Sequence, residues 1–113
     1  EVILNCKYGK ITKNESSKNI MDSIIDEIFA VIKKSEYSTL WDSADEYRKL
    51  FYSKLVPDTY NHYSSTYQDI QKKIKTEIDT LNGTVIRLGE KYGVDVSTNK
   101  IIYNLIKSIE SEF

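Results

Sequence analysis

Apolar side chains recur along this chain at helical spacing. Ile20, Met21, Ile24, Ile25, Ile28, Phe29, Val31 and Ile32 repeat every three or four residues, which gathers them on one broad face of a first helix. Ser16 and Ser17 stand just before it and offer hydroxyls as N-caps. Leu40, Trp41, Ala44, Tyr47, Leu50, Phe51 and Leu55 predict a second helix over about residues 40–55. Pro57 marks its end, because the residue before a proline avoids the helical region, and it suits the entry to a third helix from about Asp58 through Tyr67 to Ile74.

The fourth helix carries the clearest stripe, Ile78, Leu81, Val85, Leu88 and Tyr92, with Gly93 as its C-terminal cap. Gly83 and Gly89 inside it each cost about 1 kcal/mol relative to alanine, so close approach of another helix is the expected compensation. Ser97 is expected to cap a fifth helix through Ile101, Ile102, Leu105, Ile106 and Ile109. No alternating strand pattern competes with these runs. The expected fold is all-α, a compact bundle of about five helices forming one domain over residues 1–113.

Length and charge narrow the partners. A chain of 113 residues removes roughly two thirds of its unfolded surface from water, enough for one self-standing core. Its 16 Lys and Arg nearly cancel 17 Asp and Glu, so no positive excess argues for nucleic acid. No apolar run approaches the roughly 20 residues a bilayer needs, so no membrane partner is expected. A single cysteine, Cys6, excludes an internal disulfide and points to a reducing, cytoplasmic setting. The chain opens on Glu1, without methionine or leader pattern, and is expected to be a piece of a larger protein.

Generic chemistry finds little here. Gly9, Gly83, Gly89 and Gly93 are scattered and build no phosphate-binding loop. His62 is the one histidine, with Ser64 and Ser65 too close in sequence for a serine triad and no spacing that suggests a metal site. Tyr60, Tyr63 and Tyr67 recur at helical spacing and read as packing more than as a binding wall. Lys72, Lys73 and Lys75 read as a solvated face, with Lys73 and Glu77 placed for a surface ion pair.

Five motifs change this picture. Ser64, Ser65, Gln68 and Asp69 match S-S-M-x-Q-D except at the methionine. Thr76, Glu77, Ile78, Asp79, Asn82 and Gly83 then match T-E-I-D-x-x-N-G, and Gly93, Val94 and Asn99 match G-[IV]-x-x-P-x-N with Ser97 in place of the proline. Upstream, Asn5, Gly9 and Ile11 fit an N-x-x-x-G-x-[LI] turn, and Glu27 and Val31 fit an E-x-x-x-V helix. In this order the chain resembles the C-terminal helical domain of ketopantoate reductases, the 2-dehydropantoate 2-reductases. The resemblance covers nearly all of it, and T-E-I-D-x-x-N-G is its most specific part.

The resemblance implies a two-domain oxidoreductase whose own N-terminal Rossmann domain binds most of NADPH. The helical half closes a cleft over the nicotinamide and holds a small 2-keto acid, with hydride passing to the C2 carbonyl of ketopantoate. The family's proton-donor lysine would fall before Glu1, so no catalytic residue is expected in this chain and no turnover by it alone. The motif positions carry over Asn5 and Ser65 as substrate-binding and Glu77 as contacting the cofactor, with Ser65 and Glu77 expected on consecutive helices facing one cleft. An amide and a hydroxyl can satisfy the oxygens of a keto acid without adding charge, and a carboxylate can accept ribose hydroxyls or orient an ammonium. No metal is expected. Two other readings stand beside this one: a non-catalytic helical module for homodimerisation or interaction, and the same domain of a related 2-keto or hydroxy acid dehydrogenase.

Overall fold

Helix is the regular secondary structure of the described part of the chain. The computed structural model describes residues 7–35, 43–58, 60, 61 and 63–113. Its elements are α1 (Tyr8–Lys13), α2 (Glu15–Ser35), α3 (Ala44–Leu50), a π-helical stretch (Phe51–Leu55) running into α4 (Val56–Asp58), α5 (Ser65–Gln71), α6 (Asn82–Tyr92) and α7 (Ser97–Glu110). With α3 to α4 taken as one rod, the all-α expectation is met among the described residues by six helices rather than five, the extra one being α1. That short helix stands where the Gly9 motif predicts a turn.

The long α2 forms the spine. It packs against α1, α3, α6 and α7, while α6 and α7 pack on each other and α1 touches α4. Ile25 and Val31 of α2 are buried together with Ile11, Val56, Ile78, Val96 and Ile106, so nearly every helix or its leading turn contributes to one core. Polar contacts lock α2 to the following rod: the Tyr52 hydroxyl donates to Asp22 Oδ1 at 2.6 Å, and Arg48 pairs with Asp26 of α2 as well as with Asp45 of its own helix.

The helix boundaries depart from the sequence expectation for local reasons. The first long helix begins at Glu15, and its N-cap is Asn14, whose Oδ1 accepts from the Ser17 N–H at 3.1 Å, so Ser16 and Ser17 lie inside it. Pro57 stands one residue before the end of the second rod, which runs through it to Asp58. A proline removes one N–H and crowds the carbonyl four residues back, and the backbone widens into π-helix just upstream, with the Val56 N–H reaching Phe51 O, before the α-form resumes. The third helix is shorter than expected, from Ser65 to Gln71, because Ser64 caps it and Lys73 adopts a left-handed φ of 57° after its end. That turn also removes the expected Lys73–Glu77 pair, which no longer sits one helical turn apart.

Two glycines behave as expected and one does not. Gly93 ends α6 with φ 68°, and its N–H returns to Gly89 O. A Cβ on Gly89 would meet Val96 Cγ2 at 2.7 Å, so this glycine does provide close packing. A Cβ on Gly83 would meet only ordinary contacts at 3.5 Å. The stripe of the fourth helix is also reassigned: α6 starts at Asn82, Ile78 is buried in the turn before it, and Leu81 is half exposed.

Candidate functional site

The T-E-I-D motif is a turn whose residues alternate in role. Thr76 is tied to the C-terminal end of α7: its N–H and its hydroxyl both donate to Glu110 Oε2, at 2.6 and 2.8 Å. The Thr76 hydroxyl oxygen also accepts from the Ile78 N–H at 3.2 Å. Ile78 is 3% exposed and anchors the turn in the core. Asp79 accepts from the Tyr103 hydroxyl at 2.6 Å and from Lys107 Nζ at 3.3 Å. Glu77 carries the backbone of this turn, its carbonyl accepting from the Thr80 and Leu81 N–H groups at 3.0 Å each. Its own carboxylate is exposed and makes no hydrogen bond or ion pair among the described residues. Glu77 therefore sits in a pinned turn ahead of α6, not on the helix itself.

Charge is distributed to keep that turn closed. Lys107 Nζ lies 3.3 Å from both Asp79 Oδ2 and Glu110 Oε1, one ammonium between two carboxylates. Burial opposes the charged form of Glu110, but the hydrogen bonds from Thr76 and Lys107 outweigh it and hold the carboxyl below its usual range. The Tyr103 hydroxyl, then Lys107, lowers Asp79 likewise, and hydrogen bonds to Asp79 and Glu110 raise Lys107.

A second set of motif residues meets at the head of α7. Asn99 is fully buried. Its side-chain N–H₂ donates to Glu27 Oε1 at 2.8 Å, and its Oδ1 accepts from Asn82 Nδ2 at 2.9 Å. The Glu27 carboxylate also accepts from the Thr98 and Asn99 backbone N–H groups, at 2.9 Å each, so α2 supplies the cap of α7. Ser97 is the first residue of α7, the position at which proline is tolerated, and its N–H is satisfied by Asp95 Oδ1 at 2.9 Å. The expected Ser97 cap is thus replaced by Asp95 and Glu27. Glu27, Asn82 and Asn99, from three separate motifs, form one network that fixes α2, α6 and α7.

The serine pair divides its work in the same way. Ser64 caps α5, its Oγ accepting from the Tyr67 N–H at 3.1 Å, while Ser65 opens the helix exposed, with no side-chain hydrogen bond among the described residues. The segment before it is docked on α1. The Gly9 N–H donates to Tyr60 O at 2.9 Å, and a Cβ on Gly9 would fall 2.2 Å from the Tyr60 ring. Lys13 and Lys7 lie over the Tyr60 and Tyr63 rings at 5.2 and 5.6 Å. Tyr63 and Tyr67 stack with centroids 4.1 Å apart, but Tyr60 lies in a turn and Tyr63 stands exposed ahead of α5, so the packing expected of them does not come from one helix face.

Of the three carried-over positions, Ser65 and Glu77 are polar side chains left unengaged by surroundings that are otherwise locked, and no hydrogen bond joins them. Asn5 lies outside the described residues, as do Cys6 and His62. Among the described residues no group of three or more His, Cys, Asp or Glu could hold a metal ion. What motif reading missed is the supporting face of α7: Tyr103, Lys107 and Glu110 belong to no motif, and only their spacing of four and three residues places them on one side of a helix.

A family model described as the ketopantoate reductase PanE/ApbA C terminal matches residues 1–110. The chain belongs to the ketopantoate reductase family, as its C-terminal domain. It is 46% identical over 108 residues to a 2-dehydropantoate 2-reductase of Aquifex aeolicus, covering 96% of this chain and 34% of that protein. A second such reductase, from Archaeoglobus fulgidus, is 28% identical over 109 residues, covering 96% and 35%. The ketopantoate reductase fold recurs in solved structures. A PanE/ApbA family ketopantoate reductase from Ralstonia eutropha JMP134 matches with a TM-score of 0.84 at 28% identity, covering 98% of this chain and 36% of that one. A D-mandelate dehydrogenase, solved with NADH and anilino(oxo)acetate, matches at 0.85 and 27% with the same coverage. The chain thus spans about a third of the length of these relatives. No helix among the described residues is long and apolar enough to cross a membrane.

Proposed function

We propose that this domain is the substrate-side half of an NADPH-dependent 2-dehydropantoate 2-reductase that converts ketopantoate to pantoate. The observation that carries the reading is the contrast within two motifs: Ser64, Thr76, Ile78 and Asp79 are all engaged in holding the fold, whereas Ser65 and Glu77 beside them present unengaged groups to solvent. Binding residues need such spare capacity, because a group already paired must break a bond before it can take a ligand. NADPH, held mainly by an N-terminal Rossmann domain, supplies the hydride for C2 of the keto acid. The Ser65 hydroxyl, donor and acceptor at once, is suited to the carboxylate or hydroxyl of the substrate. The Glu77 carboxylate is suited to accept ribose hydroxyls or to orient the ammonium of a proton-donating lysine. Asn5 is proposed as a further substrate contact on the motif match alone.

A second reading changes only the keto acid. The likeness to a D-mandelate dehydrogenase, as close in fold as that to a ketopantoate reductase, favours testing aromatic 2-keto acids beside ketopantoate. The full-length protein is assayed by NADPH and NADH oxidation against ketopantoate and phenylglyoxylate. We expect the highest kcat/KM for ketopantoate with NADPH, and no turnover by residues 1–113 alone. Preference for phenylglyoxylate would move the protein to the second reading, and no oxidation with any 2-keto acid would leave a non-catalytic module.

A further inference from the structure

We propose that Glu110 and Asp79 are positioning residues for Glu77, acting through the turn that carries it. This rests on the reading of Glu77 given above. The turn is gripped on both sides of that residue. On one side, a single oxygen of the nearly buried Glu110 takes both the N–H and the hydroxyl of Thr76, at 2.6 and 2.8 Å. On the other, Asp79 takes the Tyr103 hydroxyl at 2.6 Å and the Lys107 ammonium at 3.3 Å. The same ammonium reaches Glu110 Oε1 at 3.3 Å and ties the two grips into one unit.

Tyr103, Lys107 and Glu110 all stand on one face of α7, so the turn is fixed to a helix rather than to another loop. That helix is itself fixed at its head by Glu27 and Asn99. A turn that only links α5 to α6 could rest on the buried Ile78 alone. Burying a carboxylate and supplying it with three donors is costly, and here two of the three donors are the N–H and hydroxyl of Thr76, the residue before Glu77. The effect is to hold the Cα of an otherwise unconstrained carboxylate at a set height above α7. Displacement of a reacting or orienting group by about 1 Å can cost on the order of 100-fold in rate, so such a grip has a kinetic consequence.

The test is a set of single and double variants in the full-length protein, with the keto acid of highest turnover and NADPH. Glu110→Gln keeps the shape but removes the charge, and Asp79→Asn does the same at an exposed position, 60% accessible at its side chain, where folding is not at risk. We expect each to lower kcat about tenfold while KM for the keto acid stays within about twofold, and to add no more than about twofold when Glu77 is already Ala. If Glu110→Gln fails to fold, Asp79→Asn carries the test. Should Glu77→Ala lose activity while Asp79→Asn and Glu110→Gln keep wild-type kcat, or multiply fully with Glu77→Ala, the positioning role is overturned and the proposed function stands. Wild-type kinetics for Glu77→Ala itself would remove Glu77 from the site and the positioning role with it.

Discussion

Gly89 shows how much depends on one missing methyl. It lets α6 approach the Val96 side chain so closely that a Cβ would sit 2.7 and 2.9 Å from its two methyls and 3.1 Å from Val94 O. Such overpacking costs about 1–3 kcal/mol. Gly83, in the first turn of the same helix, has only contacts at 3.5 Å around a Cβ. Thermal or denaturant unfolding should therefore show Gly89→Ala destabilised by about 1–3 kcal/mol and Gly83→Ala within about 0.5 kcal/mol of wild type. Equal effects at the two positions would mean that the close approach of Val96 does not set the cost at Gly89, since helix propensity alone favours alanine at both. The sequence marks the two glycines alike, since each interrupts an amphipathic stripe, and only the neighbour across the contact separates them. The same holds for Thr76, Glu77 and Asp79: their motif was legible, but not which members serve the fold and which are spare, because Glu110 and Tyr103 lie far along the chain.

Helices were legible where their evidence is local and periodic. The apolar runs of α2, α6 and α7 predicted those elements because each buries a single face. Their ends were less so. The cap of α7 is Glu27, about seventy residues earlier, and a partner so distant leaves no local mark. Pro57 marked the end of its rod to within a residue, and what it did not announce is the π-helical stretch upstream that accommodates its missing N–H and its ring. Lys73 in a left-handed turn shortened α5 in a way its sequence does not suggest. The capping geometry makes a prediction of its own. Glu27→Ala removes the acceptor for two backbone N–H groups and one side-chain donor of the fully buried Asn99. Unfolding of that variant should show a loss of about 1–3 kcal/mol, and a loss below about 0.5 kcal/mol would mean water replaces the carboxylate at no cost.

On the scale of the molecule, polar networks join the helices and leave the Ser65 and Glu77 side chains exposed. The Glu27–Asn99–Asn82 network fixes three helices, the Glu110–Lys107–Asp79 set fixes the turn before α6, and Ser65 at the start of α5 and Glu77 in that turn stay exposed. Ile74, Leu81, Ile101 and Leu105 remain exposed as large apolar side chains. In a two-domain reductase such surface is what a second domain or a second copy covers. The family was legible from motif order, whereas the roles proposed for Ser65 and Glu77 rest on motif matches in a chain that spans about a third of its relatives' length. The Glu77 carboxylate is proposed to work at the reacting region while its side chain takes no part in the fold. Steady-state kinetics of Glu77→Ala in the full-length protein test it most directly. The expected result is a fall in kcat/KM of about 100-fold or more with an unchanged melting temperature. Wild-type kcat/KM would contradict it, as would a loss of activity matched by a loss of stability.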